Sequence, residues 1–543
     1  MEALQVKKVE LLDCTLRDGS YITGSHFGAA AMKGIIKKMQ DAGADIIECG
    51  WLKDKPYEKD TTFYHVPEDL EPYLLERSDK SIYVVMIDWD RYDTNALPPY
   101  DGKSIDAIRV VFPHGKHREG IRVGESIRAK GYQVFYQAAN TMSYSDEDLL
   151  DLAACINEAH PIALSVVDTF GAMYADDLER IVGLLDRHLD KDIKLGFHSH
   201  NNRQLSFALT MHFVELLSSS DRGVIVDASL CGMGRGAGNA TTELVASYLN
   251  DKQHGDYDMD AIMDAIDIYM TGFQETYSWG YSTPYFIAGL YQCHVNNIAY
   301  LLKNHRTNAR DMRNIIASLS EEERRHYDYD LLESKYMENQ DRLVDDESVM
   351  RSLKKTFAER KVLLVAPGKS ALDEKNKITD FIENEHPVVI GVNAILAGYD
   401  YDDVFFTNAA RYEYAKEAYG EAFSRVSKIL LSNIKTQADE DEQIVNFNRA
   451  IKRGWEHFDN AVICCLRVLA KLGVSKVAIA GFDGFKTKYN ESYADPSLPT
   501  LNPANDWAGL NKEIKEIFCD FRRANKDRIM IELVTPSVFD AEM

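Results

Sequence analysis

The chain has 543 residues, 45% hydrophobic and 27% charged, with a formal net charge of -24. That length exceeds what one hydrophobic core usually supports, so two domains are expected, and the acidity argues against a nucleic-acid binder, which needs a concentrated basic face. No run reaches the roughly 18 apolar residues that span a bilayer, no charged-then-apolar leader precedes Val9, and none of the eight cysteines forms a CxxC, so a cytoplasmic protein with reduced thiols is expected.

Eight short apolar or β-branched runs precede residue 230: 9–13, 46–50, 82–87, 107–112, 133–137, 163–168, 194–198 and 224–229. Segments with helical spacing, such as 29–42 and 146–159, separate most of them. Eight strand-then-helix units predict a TIM (β/α)8 barrel, here over residues 1–303. A doubly wound sheet is the alternative. Against it, Asp13, Glu48, Arg109, Asp168 and His198 all fall at or near the C-terminal ends of the runs, where barrel active sites form. From 304 to 360 the chain turns polar, with SEEERRHYDYD at 320–330 and DDESVMRSLKK at 345–355 predicting the solvated helices of a linker. A second, Rossmann-like α/β domain over 361–543 begins at KVLLVAPGKS, and its alternating strand and helix patterns predict a parallel sheet.

The chemistry concentrates at two motifs, DCTLRDG (13–19) and GFHSHNN (196–202). Residues two apart on a strand share a face, so His198 and His200 can offer both imidazoles to one ion, and Asp18 from another strand end completes a facial set with open positions for an oxygen-chelating substrate. Imidazole mixed with oxygen ligands and no thiolate favours Mn2+ or Mg2+ over Zn2+. A third motif, DASLCGMGRGAGNATTE (227–243), contains a glycine-rich loop. Such loops cradle phosphates, but the favoured reading is that the glycines let the loop approach the ion. The AMK at 31–33 lies on an amphipathic helix pattern rather than a hairpin, which argues against a biotin attachment site.

TLRDG, HSHNN and the 227–243 motif together resemble the DRE-TIM metallolyase superfamily, and the last is most similar to its 4-hydroxy-2-oxovalerate aldolase branch. The resemblance covers roughly the first 300 residues. It implies Asp18, His198 and His200 as divalent-metal ligands with Asn239 as a fourth, Arg17 as the group that stabilises an enolate oxygen, and Glu48 as the carboxylate that orients Arg17. Asp168 and Thr169, closing the sixth run, are expected to orient a ligand or the substrate carboxylate. Where the aldolase branch commonly has a histidine, this chain has Tyr21, which either moves the proton of the substrate hydroxyl or lines the pocket; His26 in the same loop is the alternative base. The implied activity is aldol cleavage or condensation through the enolate of a 2-oxo acid such as pyruvate, with an aldehyde partner. The rival readings are a Claisen-type acyltransferase using acyl-CoA and a nucleotide-sugar-binding protein with a vestigial barrel.

In the second domain, LLVAPGKS, VNAILAGYDYDDVFFTN and LGVSKVAIAGFDGF look similar to a Rossmann-like group that includes bacterial sialyltransferases. The turn at Gly368 and Ser370 is the expected phosphate cradle for a nucleotide or nucleotide sugar. Ala366 stands where that group has asparagine, which puts glycosyl transfer in doubt. The competing role is assembly or docking, and a homo-oligomer is expected.

Overall fold

The computed structural model describes residues 9–540 except 306, 341–343, 435–441, 456, 487–489 and 500–505. It divides into two compact units: residues up to 295 together with 324–326, and the remainder.

In the first unit eight parallel strands close on themselves: β1 (Val9–Asp13), β2 (Ile46–Leu52), β3 (Ile82–Asp88), β4 (Ala107–Phe112), β5 (Gln133–Ala138), β6 (Ala163–Asp168), β7 (Lys194–Ser199) and β8 (Val224–Ala228). Each pairs with its sequence neighbour, and β1 pairs with both β2 and β8, so the sheet has no free edge inside the barrel. A two-residue strand, Phe63–Tyr64, adds outside β2. This is the expected TIM barrel. Helices such as His117–Arg128 and Ala175–His188 pack one apolar face on the strands and leave the other in water.

The barrel interior carries the chemistry through the two-residue period of a strand. Leu12, Ile46, Val84, Ala107, Phe135, Ala163 and Ile225, drawn from seven strands, form one apolar layer. Two residues further on, the same faces of β2, β4, β5, β6 and β8 present Glu48, Arg109, Gln137, Ser165 and Asp227, all at most 2% exposed. A dry floor therefore lies beneath a polar layer at the C-terminal end. On β7 that period reaches His198 and then His200.

The second unit has seven parallel strands: β9 (Lys361–Val365), β10 (Val388–Val392), β11 (Asp403–Phe406), β12 (Ser427–Leu431), β13 (Glu442–Val445), β14 (Lys476–Ala480) and β15 (Met530–Leu533). Their order is β13-β12-β11-β10-β9-β14-β15, so the chain steps outward from β9 in one direction and then returns to continue in the other. Helix Ala461–Leu472 is apolar almost all round and correspondingly buried. The polar segment expected to be a linker folds instead into helices that bury apolar residues within this unit, among them Met312, Ile315 and Ile316 of Ala309–Ser318 and Met350, Leu353 and Phe357 of Glu347–Phe357. Among the described residues no helix is long and apolar enough to cross a membrane.

Candidate metal centre and active site

The turn after β1 sets the site. Asp13 ends the strand, accepts the Thr15 backbone N–H at 3.1 Å and receives the Thr15 and Thr242 hydroxyls at 2.9 and 2.7 Å. Burial pushes this carboxyl up to about 6. Its work is to hold the short helix Thr15–Asp18 and place Arg17 and Asp18 over the barrel mouth.

Asp18, His198 and His200 converge, with one ligand atom from each lying within 4.8 Å of the others. His198 Nε2 is 3.9 Å and His200 Nε2 3.7 Å from Asp18 Oδ2. Both rings are oriented from behind. His198 Nδ1 lies 3.1 Å from Asp227 Oδ2, and His200 Nδ1 lies 3.2 Å from the Asp168 carbonyl oxygen, which directs each Nε2 toward Asp18. Burial lowers His200 to about 4, so its ring is neutral at pH 7 and able to bind a metal. Asp18 is pushed upward by burial, but Arg17, His200 and His198 outweigh that and hold it well below the usual carboxylate range.

Asn239 donates to Asp18 Oδ2 at 2.5 Å. Its Oδ1 and His198 Nε2 are both buried with no hydrogen-bond partner, an arrangement that costs free energy unless a cation completes it. The donor set of two imidazoles, a carboxylate and an amide oxygen therefore fits a divalent metal. Cys14 is near, with Sγ 3.9 Å from Asn239 Nδ2, and burial pushes its thiol far up in the metal-free protein.

The glycine-rich loop brings Asn239 to this point. At Gly234 an added Cβ would stand 2.4 Å from Asn239 Nδ2 and 2.7 Å from Asp18 Oδ2; at Gly238, with φ +84, it would strike the Gly232 carbonyl at 2.0 Å. Only glycine allows the loop so close.

Arg17 spends Nε on Glu48 Oε2 at 2.7 Å and Nη1 on Asp18 Oδ1 at 2.7 Å. Glu48 Oε2 also lies 3.0 Å from Arg109 Nη1, whose Nη2 donates to Asp227 Oδ2 at 2.5 Å. A buried chain of alternating charges thus runs Arg17, Glu48, Arg109, Asp227, His198, and ties the residue beside one candidate metal ligand to the ring of another. Sequence reasoning found Glu48 but missed the roles of Arg109 and Asp227, whose signal was a charge on an interior strand position in both cases.

Arg17, Asp18, Tyr21, Thr169, His198 and His200 line one cavity at the barrel mouth. Asp168 does not line it; its carboxylate accepts the Ala172 and Met173 backbone N–H groups at 2.8 and 3.2 Å and shapes the following loop, with burial pushing it up to about 6. Tyr21 is 44% exposed as a whole residue, yet its hydroxyl is desolvated enough to be pushed up to about 12 against the pull of Arg235 and Arg17. That is opposite to the lowering that would make it a base in the free protein. His26 is exposed and stands outside the cavity lining. The lining residues not anticipated include Arg235 from the glycine-rich loop and His294.

In the second unit a cleft opens at the C-terminal ends of β9, β10, β11 and β14, with Gly368, Asn393, Thr407, Arg411, Asn460 and Asp483 in its walls. The predicted phosphate turn is arranged differently from expectation. The Ser370 backbone N–H donates to Asp483 Oδ2 at 2.7 Å, its hydroxyl donates to Asp483 Oδ1, and the Gly368 N–H donates to the Gly481 carbonyl at 2.9 Å. A carboxylate from the β14 loop holds the place expected for phosphate.

Residues 118–269 match the HMGL-like family. The chain is 29% identical over 258 residues to 4-hydroxy-2-oxovalerate aldolase 2 of Salinispora arenicola, covering 45% of this chain and 70% of that protein. It is 25% identical over 272 residues to the oxaloacetate decarboxylase of Mycobacterium tuberculosis, covering 48% and 76%. Among solved structures, the HMG-CoA lyase of Brucella melitensis is similar at 16% identity with a TM-score of 0.40, covering 50% of this chain and all of that one. The family match over 118–269 and the sequence relatives support an enzyme of the carbon-carbon lyase class, here on a TIM-barrel scaffold. Within that class the relatives matched over most of their length include a 4-hydroxy-2-oxovalerate aldolase.

Proposed function

We propose that the barrel is a divalent-metal-dependent aldolase that makes or breaks a carbon-carbon bond through the enolate of a 2-oxo acid, with pyruvate as the simplest member. The observation that carries this reading is the convergence of Asp18, His198 and His200 beside Arg17, with His198 Nε2 and Asn239 Oδ1 buried and unpartnered. A bound Mn2+ or Mg2+ would supply Lewis-acid charge for the carboxylate and keto oxygens of the acid. Arg17 keeps Nη2 for the developing enolate oxygen, because Nε and Nη1 are fixed by Glu48 and Asp18 and the guanidinium need not reorganise during the reaction. Thr169 lines the wall where the acid sits. Tyr21 is protonated at neutral pH, which suits it to give its proton to the aldehyde oxygen as the bond forms and to receive it back on cleavage.

The test follows the pyruvate methyl protons by NMR in deuterated water, with protein stripped of metal and then reloaded with Mn2+ or Mg2+. Exchange is expected only in the loaded protein and is lost, together with bound metal by elemental analysis, in a His198→Ala/His200→Ala double variant. Exchange that persists in the stripped protein would sink the reading. Release of free thiol from acetyl-CoA would favour the acyltransferase instead.

For the second unit the reading is a nucleotide or nucleotide-sugar site. It is supported by the cleft at the point where strand order reverses between β9 and β14, the place where open parallel sheets bind ligands. Calorimetric titration with nucleoside mono- and diphosphates, compared with an Arg411→Ala variant, tests it. No heat with any nucleotide at millimolar concentration removes it.

A further inference from the structure

The cavity wall across from the candidate metal ligands carries hydrogen-bond acceptors that a 2-oxo acid cannot use. Asp18 follows β1 and the two histidines close β7, whereas Asp88 ends β3 and Gln137 lies near the end of β5, on the far side of the closed ring of strands. The register sets these two in one row, since Asp88 pairs with Val111 and Val111 with Gln137, and all three line the cavity. Backbones two strands apart are separated by about 10 Å, a gap that inward-reaching side chains narrow to the span of a short ligand.

Each of the two head groups is anchored on one side. Asp88 Oδ2 accepts from Lys53 Nζ at 2.7 Å, with that ammonium 4.1 Å from the centre of the Trp51 ring, and Gln137 Nε2 donates to Ser165 Oγ at 2.8 Å. Among the described residues nothing donates to Asp88 Oδ1 or to Gln137 Oε1. Gln137 is 2% exposed, so its amide oxygen is met from within the cavity rather than by bulk water. A pyruvate anion and a plain alkyl aldehyde have no hydrogen to donate, whereas a hydroxyl does. Charge is already balanced here: the lining guanidiniums of Arg17 and Arg235 are matched by the carboxylates of Asp18 and Asp88. An anionic end on the aldehyde would meet the Asp88 carboxylate.

We infer that Asp88 and Gln137 form a hydroxyl-recognition subsite, and that the aldehyde is an uncharged, sugar-like hydroxyaldehyde with hydroxyls on the carbons beyond its carbonyl. This deepens the aldolase reading and rests on it. The reacting carbonyl would face the candidate metal ligands and Tyr21, with the hydroxyls donating to Asp88 Oδ1 and Gln137 Oε1. Both residues select the substrate by binding and take no part in proton transfer.

The experiment measures kcat/KM for aldehyde acceptors, with concentrations taken as the free carbonyl form, at saturating pyruvate in the metal-loaded full-length protein. Glyceraldehyde is paired with propanal and erythrose with butanal, so each pair differs only in its hydroxyls, and succinic semialdehyde is the anionic comparison. Pyruvate proton exchange is measured in parallel. The wild type is expected to prefer the hydroxylated member of at least one pair by about tenfold or more, because a ligand without hydroxyls leaves the buried acceptors unmet. Asp88→Leu and Gln137→Met should each lower kcat/KM for that acceptor by about tenfold more than for its alkyl counterpart, mainly through KM. Asp88→Asn, which keeps an acceptor oxygen, should retain more of the preference than Asp88→Leu. Equal losses for hydroxylated and alkyl acceptors would mean a structural role and overturn the inference. A wild type that exchanges pyruvate protons but is indifferent to acceptor hydroxyls, or favours succinic semialdehyde over the hydroxylated acceptors, overturns it as well. Absence of exchange in the loaded wild type overturns the enolate reading and this one with it.

Discussion

Asp227→Asn isolates the buried charge that links the metal site to the arginines. Asp227 is 1% exposed and touches Arg109 Nη2 at 2.5 Å and His198 Nδ1 at 3.1 Å, so the change removes a full charge while nearly keeping the shape. Breaking one side of a buried pair costs roughly 3–5 kcal/mol. Glu48, still 3.0 Å from Arg109 Nη1, limits the loss to the low end, about 3 kcal/mol. Burial pushes Asp227 upward, but Arg109 and His198 hold it below its ordinary value of 3.8. Its contribution is therefore present above that pH and lost as pH falls through the lower folded value, so variant and wild type converge in strong acid. The metal effect is separate: releasing a ligand imidazole from its orienting carboxylate should weaken binding by about 10- to 100-fold, or ~1.4–2.7 kcal/mol. Calorimetric titration of Mn2+ into stripped protein measures the second quantity, and urea unfolding of the metal-free form measures the first. Metal affinity within twofold of wild type, alongside the expected loss of stability, would refute the argument that Asp227 aims His198.

Arg17→Lys should retain metal but slow pyruvate exchange by roughly a hundredfold, because an ammonium cannot hold Glu48 and Asp18 and still reach an enolate oxygen; an unchanged NMR exchange rate removes Arg17 from the mechanism. Asp168 is desolvated and raised to about 6 from 3.8, so the native state binds its proton more tightly than the unfolded chain and wild-type stability falls as pH rises through that interval, by up to about 3 kcal/mol. Asp168→Asn does not titrate, so its urea-derived stability relative to wild type should improve between pH 4 and pH 7, and a constant gap would mean an ordinary carboxylate. Tyr21→Phe should block aldol cleavage while sparing pyruvate exchange, since only cleavage needs a proton moved at the hydroxyl; parallel loss of both would reassign the residue to binding.

The barrel was legible because strands buried on both faces read as continuous apolar runs, and eight of them spaced by helix-length segments leave few alternatives. The interior layers follow from the same period of two, counted from Ile46 to Glu48 or from Ile225 to Asp227. Sequence pattern misled where composition stands for burial. The polar stretch after the barrel reads as a solvated linker, yet Met350, Leu353 and Phe357 recur at helical spacing and pack inward. Such a narrow stripe is outvoted by the charges around it in a compositional reading.

The site divides along a similar line, according to how far apart the interacting residues lie in the chain. Asp18, His198 and His200 announce themselves because each sits in a short motif whose residue types have few other uses. Arg109 and Asp227 are 118 positions apart, and neither motif nor spacing reveals that they meet; only barrel closure does. The same holds for Ser370 and Asp483, 113 apart, where a turn that reads as a phosphate cradle already has its amide bonded to a carboxylate. Arg235 was hidden for a different reason. In GMGRGAG the glycines draw attention to what the backbone must do, and the one charged side chain among them reads as incidental. Its neighbours fix its place, because a loop that must lie against Asp18 delivers the side chain it carries to the mouth of the same cavity. The glycines that let the loop lie against Asp18 therefore bring Asn239 to that carboxylate and Arg235 to the cavity beside it in one move.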